Sequence, residues 1–471
     1  MKTIKQLLTI VCICLAATGC KETFLELKPI SNPTADNFKS TDDFELAVNA
    51  AYSSLYVIYH PEGAMSYVNE QMSDNAIVYN IAGIQADKWQ FKDLTLSTTN
   101  TVVYQFWQDY YKALFNANIV INKIDGASLD ATYKDAVKAQ MMFLRALYYF
   151  DMVQTWGDVP IVTTPLTGEE SYNVLRSPQS AVYDQIKADL TFAIQKLPLA
   201  SAVTITGRAS KGAAQTLLGK VYLALGDKNA AATVLKEVVA SNQYTLLPTY
   251  AALWGPTVKN TKESIFEIQY LGGSASAPFS RYYQTYYPVT AGLGFIGTGM
   301  NQVTDDLYNE YETGDPRRDL TISSGYTSGT TFTPQKFPIK WTHTGATIVN
   351  GVSLSNNNFM VLRYADVLLM LAEATGDASY LNQVRTRANV PAFGTVTYPT
   401  AKYPTLDLAI EHERRVELAI EFQRFFDLKR TNRAVAVLSA KGKPITQAKQ
   451  LLPIPQIVRL QNDAIVQNPG Y

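Results

Sequence analysis

The chain has 471 residues, 47% of them hydrophobic, and its 41 basic residues balance 41 acidic ones to a formal net charge of zero. That length supports a large core without metals or disulfides, and the missing basic excess argues against a nucleic-acid binder. The 29 Tyr, 19 Phe and 5 Trp lean toward surfaces that are apolar and wet together, since a tyrosine ring carries both a flat apolar face and a hydroxyl.

In chain order, Lys2 and Lys5 precede an apolar run from Leu7 to Ala17 and then small residues, the three zones of a secretory leader over residues 1–19. The run is shorter than the roughly 20 residues needed to cross a bilayer. All three cysteines, Cys12, Cys14 and Cys20, lie in the first twenty residues. Cleavage after Gly19 leaves Cys20 as a single thiol without an intramolecular partner, which demands another use for it. The stretch Ala17-Thr18-Gly19-Cys20 resembles the lipobox of bacterial lipoproteins, with Ala17 where that box usually has Leu, and Lys21-Glu22 is similar to surface-export signals of Bacteroidetes lipoproteins. The resemblance implies acylation of Cys20 and anchoring to the outer membrane through its lipid.

Phe44, Ala47, Val48, Ala51, Tyr52 and Leu55 recur at helical spacing, so a helix is expected over 42–59 with Ser40 or Thr41 as its cap. Polar, glycine-bearing sequence follows to Thr101. Two longer helical patterns, 102–124 and 135–157, then predict an antiparallel pair stopped by Gly157 and Pro160. In "RASKGAAQTLLGKVYLALGDKNAAATVLKEVVA", Leu218, Gly219, Tyr222, Ala231 and Leu235 fall at the spacings of a tetratricopeptide hairpin. A second hairpin is expected around the Gly376-Asp377 turn.

Between 262 and 352 the pattern changes. "SIFEIQYL" alternates Phe266, Ile268 and Tyr270 with Glu267 and Gln269, a half-buried strand signal. This strand signal leads into a stretch rich in Gly, Ser, Pro and Tyr without helical period, and loops of that length inside a helical chain are often functional. The reading is a mainly α-helical, single-domain scaffold over 20–471 that carries a loop-rich insertion with few short strands.

Five segments together resemble one family: "FLRALYYFDMVQTWGDVPIV", "GRASKGAAQTLLGKVYLALGD", "VLRYADVLLMLAEA" with "LNQVRTRANV", "IEHERRVELAIEFQRFFDLKRT", and the ending "LLPIPQIVRLQNDAIVQNPGY". They are similar to the SusD/RagB nutrient-binding outer-membrane lipoproteins. The resemblance implies tetratricopeptide-like hairpins as a rigid back, loops as a ligand face, and a SusC-like TonB-dependent transporter as partner. It also implies an oligosaccharide or a peptide as ligand and no catalysis.

Arg145, Arg363, Arg414, Arg415 and Arg424 stand among acidic residues at spacings that favour pairs on helix surfaces. Trp107 and Trp156 lie in apolar helical contexts and read as core, and the terminal "QNPGY" reads as a fixed chain end. Sugar recognition needs aromatic platforms beside amide or charged groups. "SDNAIVYNIAGIQADKW" offers Asp74, Asn75, Tyr79, Asn80 and Trp89; the second loop offers Arg281, Tyr282, Tyr283, Tyr286 and Tyr287; Trp341 is a third candidate.

Enzymatic signals are weak. "GLGFIG" (292–297) lacks the strand-turn-helix frame of a dinucleotide site, and His60, His343 and His412 are too scattered for a zinc helix, so neither cofactor nor metal is expected. The adjacent acids Glu169-Glu170 and Asp305-Asp306 read as caps or solvated charges rather than the opposed pair of a glycosidase. Capture of a glycan for transport is therefore the leading expectation. Peptide capture, a surface glycoside hydrolase and a pure scaffold are the alternatives.

Overall fold

Helices begin where short polar side chains can accept the first free N–H groups. Ser40 forms a capping box with Asp43 ahead of α1 (Thr41–Ser53). The structure, a computed structural model, describes residues 38–78, 86–289 and 291–471. The leader, Cys20, Tyr79 and Asn80 lie outside the described residues.

Between α1 and the long helical pair, where the sequence read as irregular, the chain forms a π-helical turn over Tyr67–Gln71 and the helix α2 (Ala86–Asp93). Polar composition concealed that turn, because its polar residues are buried: Asn69, Glu70 and Gln71 are all inaccessible. Glu70 accepts hydrogen bonds from Asn75 Nδ2 (3.0 Å) and the Phe422 N–H (2.8 Å).

Next come α3 (Thr101–Ile124), capped by Asn100, and α4 (Ala131–Trp156), capped by Asp130 and stopped at Gly157 with φ +76°. Then follow α5 (Gln179–Lys196), α6 (Lys211–Ala224) and α7 (Lys228–Ala240). Each of these helices packs on its neighbour in sequence, α3 to α7, and α7 packs on a later helix, α9. Within the α6–α7 hairpin a Cβ on Gly219 would lie 2.4 Å from Leu235 Cδ2. Glycine there allows the close approach, and Leu235 fills the seam, fully buried.

After the single helical turn α8 (Tyr282–Tyr286) and the loop-rich part, the second hairpin is α9 (Tyr364–Thr375) and α10 (Ala378–Arg387), joined through left-handed Gly376. α11 (Leu406–Glu417) and α12 (Arg424–Arg430) follow, and α13 (Gln456–Gln461) lies near the end. The terminal segment is fixed as expected: Asn468 Nδ2 donates to the Trp156 (2.8 Å) and Leu452 (2.7 Å) carbonyls, and Tyr471 Oη to that of Leu451 (2.9 Å). Trp156 and Trp107 are core.

The strands are short and pair two by two. Ser264–Ile268 runs antiparallel to Phe359–Arg363, and every residue of both is buried. The expected strand is present, buried on both faces. Glu267 faces inward and is satisfied there by Asn358 Nδ2 at 2.7 Å and the Asn260 N–H at 3.0 Å.

The motif arginines are not helix-surface pairs either. Arg145 on α4 pairs with Asp189 on α5, and Arg414 with Asp366 and Asp427. Arg415 pairs with Asp74 and Asp306, and Arg424 with Asp74. Arg363 meets Glu263, Glu417 and Glu421, while Arg317 joins Asp315, Glu413 and Glu417. All these arginines are buried. A buried charge is tolerated only when its partners surround it, so this network fixes how the loop-rich part sits on α11. Its carboxylates come from segments far apart in sequence, which helical spacing could not reveal.

Candidate functional site

Arg281 and the α8 turn sort the tyrosines into two directions. Tyr282 and Tyr286 point inward and are 0% and 1% exposed. Tyr282 stacks on Phe359 (5.0 Å between centroids, 9° between planes) and on Trp341 (5.0 Å, 25°). Phe359 continues the stack onto Phe422 at 4.7 Å, and the Tyr282 hydroxyl donates to the Tyr59 carbonyl. Trp341 is 2% exposed. All three rings are buried, which corrects their assignment as ligand platforms: Tyr282, Tyr286 and Trp341 bind the loop-rich part to the core.

Asp74 and Asn75 are also corrected. Asp74 receives Arg424 Nε at 2.9 Å and Arg415 Nη2 at 3.1 Å. Burial alone would raise its pKa, but Arg424 and Arg415 outweigh it and hold the carboxyl well below its usual range. Asn75 bridges Arg415 Nε (3.1 Å) and Glu70 (3.0 Å). Both side chains are buried, at 3% and 1% exposure, and closed to a ligand.

Tyr283 and Tyr287, one helical turn apart, face the other way, Tyr283 with 8% of its surface exposed and Tyr287 half-buried. Their rings meet edge to face at 4.8 Å. Phe295 packs on Tyr283 at 5.0 Å and Phe337 on Tyr287 at 4.7 Å. Tyr287 Oη lies 3.1 Å from Thr342 Oγ1. Between them Gln284 holds two loops at once: its Nε2 donates to the carbonyls of Ile296 (2.9 Å) and Gly351 (3.2 Å), and its Oε1 accepts the Ser353 N–H (3.1 Å). Beside this cluster the loop that carries Phe295 leaves Ile296 68% exposed, with Leu293 also reaching solvent and Ile348 packed against Gly294.

On the flank, Arg281 lies over the Phe279 ring at 4.9 Å. Nearby, His60 Nδ1 accepts the Glu62 N–H at 3.1 Å, so the neutral ring carries its proton on Nε2. Burial lowers the His60 pKa to about 4; Glu62 opposes the shift, and the Arg281 and Lys88 cations add to it. Lys88 on α2 pairs with Glu62 at 3.2 Å, and the next residue, Trp89, is half-buried against the core. Arg281 and Lys88 thus flank one corner built on residues 60–62, and Tyr283 and Tyr287 follow Arg281 in the chain.

By sequence His60 was weighed only as a metal ligand and set aside, and Glu62, Lys88, Gln284 and Phe295 were not singled out. Phe295 lies inside "GLGFIG", which could have suggested it once that stretch was read as a loop. The others carry no local signal, because their roles depend on what the fold places beside them. Among the described residues, no group of three or more His, Cys, Asp or Glu could hold a metal, and no helix is long and apolar enough to cross a membrane.

A helical scaffold carrying an aromatic, amide-bearing loop face has the form of a binding protein, and comparison with known proteins gives its family. Residues 23–223 match a family model described as SusD-like, "Starch-binding associating with outer membrane", and residues 321–471 match that of the SusD family. SusD-like protein P2 of Formosa agariphila is 27% identical over 99% of this chain and 100% of its own length. A solved "Laminarin binding SusD-like protein" is 31% identical with a TM-score of 0.80, covering 92% of this chain and all of that one. Surface glycan-binding protein A from Bacteroides thetaiotaomicron, in complex with laminarihexaose, superposes with a TM-score of 0.78 at 24% identity over 91% of this chain and 99% of its own. The chain belongs to the SusD-like family.

Proposed function

We propose that this protein is a non-catalytic cell-surface lipoprotein that captures a neutral oligosaccharide and delivers it to a SusC-like TonB-dependent transporter. The observation that carries this reading is the 31% identical relative, named for laminarin binding, whose whole length this chain covers. It favours a laminarin-type β-glucan as ligand. Removal of the leader over 1–19, acylation of Cys20 and attachment to the outer membrane complete the proposal, supported by the lipobox-like residues and by the family model's description.

The proposed binding face comprises Trp89, Arg281, Tyr283 and Tyr287. A sugar ring would stack its C–H face on the part-buried Trp89 or Tyr287 ring, while Arg281 and the His60 Nε2–H donate to hydroxyls. Tyr79 and Asn80 remain proposed contacts from the adjoining loop. Calorimetry on protein starting at Lys21, with laminarihexaose, maltohexaose and a mixed peptide pool, tests the reading. Saturable laminarihexaose binding that weakens in Trp89→Ala and Arg281→Ala supports it; binding of peptides alone, or turnover of the glycan, defeats it.

A further inference from the structure

A second cleft shares no lining residue with that face. It has a volume of about 580 Å³, within the roughly 300–1,000 Å³ typical of small-ligand sites. Its first wall is one face of α3, where Tyr104, Gln108, Tyr111 and Phe115 stand at helical repeats while Phe106, Tyr110 and Leu114 turn to the core. Its second wall is the segment from Pro160 to Val174, bearing Tyr172. α13 and Ile465 close the third side.

The walls are fixed to one another, so the cleft is preformed. Tyr111 Oη donates to the Pro160 carbonyl (3.1 Å), Asn118 Nδ2 to that of Val162 (2.8 Å) and Asn122 Nδ2 to that of Thr163 (3.0 Å). At the start of α13 the Gln456 N–H donates to the Thr98 carbonyl (2.8 Å), and Arg459 Nε to that of Ile465 (3.0 Å). Across this rigid frame two large rings stay open to solvent, Phe115 at 41% and Tyr172 at 49% exposure.

The lining chemistry selects a ligand class. Among the described residues no carboxylate lines the cleft, and Lys112 is its one charged side chain. Gln108, Gln461, Asn462, Thr164 and Ser171 supply neutral donors and acceptors beside the rings. Polar groups in that number disfavour an acyl chain. An extended peptide would need free main-chain groups along an edge, but the helical walls bond their own, and the carbonyls of residues 160, 162 and 163 are already taken.

We propose that this cleft is a second binding site, for a short neutral saccharide whose ring faces stack on Phe115 and Tyr172 and whose hydroxyls meet the amides. The site is independent of the one proposed above. The test uses the full-length chain in lipid nanodiscs, with the first site disabled by Trp89→Ala and Arg281→Ala. Binding of laminarihexaose, maltohexaose and xylohexaose is measured by calorimetry. The expected result is residual saturable binding of at least one of them, near one per chain, weakened tenfold or more by adding Phe115→Ala and Tyr172→Ala; both rings are surface-exposed, so the fold survives. Residual binding indifferent to those changes overturns the proposal, as does the absence of any residual binding. Preference for an oligouronide that depends on Lys112, or displacement of the saccharide by a fatty acid, also overturns it. Loss of binding through Trp89 and Arg281 in the otherwise native chain reports on the first site alone, so the two readings fail separately.

Discussion

Arg145 on α4 grips Asp189 on α5 with two parallel bonds, Nε to Oδ2 at 2.8 Å and Nη2 to Oδ1 at 2.7 Å, while its Nη1 donates to Asn118 Oδ1 on α3 at 2.9 Å. One guanidinium therefore fixes three consecutive helices. Arg145→Ala strands a buried carboxylate and should cost about 3–5 kcal/mol. Arg145→Leu combined with Asp189→Leu removes both charges and should recover most of that. Urea unfolding of the single and double variants checks it.

Gly219→Ala places a methyl group where Leu235 Cδ2 stands 2.4 Å away. Overpacking of this kind costs about 1–3 kcal/mol. Leu235→Ala on its own leaves a cavity and should cost about 2–5 kcal/mol. The double variant should be more stable than the sum of the two losses predicts, because the new methyl group enters the vacated space. Thermal melts of the three variants decide this.

His412 on α11 lies between Glu310 (Nδ1, 3.0 Å) and Glu312 (Nε2, 3.3 Å), and both contacts are donated only by the charged ring. Burial pushes its pKa down, but the hydrogen bonds to the two glutamates outweigh burial, and the net shift is upward. A raised folded-state pKa stabilises the fold fully below the unfolded value, about 6.5, and the contribution fades as pH rises through the folded value. The stability difference between the native chain and His412→Asn should therefore be largest near pH 5.5 and shrink toward pH 9. Denaturant midpoints measured across that range give the answer; a difference that grows with pH would contradict the arrangement.

Tyr282 and Trp89 should fail in different ways. Tyr282→Ala removes the centre of a buried stack and should cost about 3–5 kcal/mol of stability. Trp89→Ala should leave more of the stability intact and weaken glycan affinity about tenfold, ~1.4 kcal/mol. Melting temperature and calorimetric affinity, measured on both variants, separate the two roles.

Gln284→Ala should release two segments together, the loop ending at Ile296 and the hairpin around Gly351 and Ser353. Hydrogen exchange should rise in both and remain unchanged in α6 and α7. A rise in only one would mean that the other is held by its ring contacts.

Elements whose signals are local were legible in the sequence. The α3–α4 pair shows in its period and its Gly157 stop, the α6–α7 hairpin in Gly219 and the Gly226-Asp227 turn, and family membership in the ordered motifs. Tertiary structure alone decided which tyrosines of one turn face inward, since Tyr282 and Tyr283 are neighbours in the same composition and differ only in what Phe359 and Trp341 bring against them. It likewise decided that Asp74 is an ion-pair partner, because Arg415 and Arg424 arrive from more than 300 residues away. Period and capping are set within a few residues by backbone geometry, whereas the burial of a ring or a charge is set by whichever distant segment packs against it.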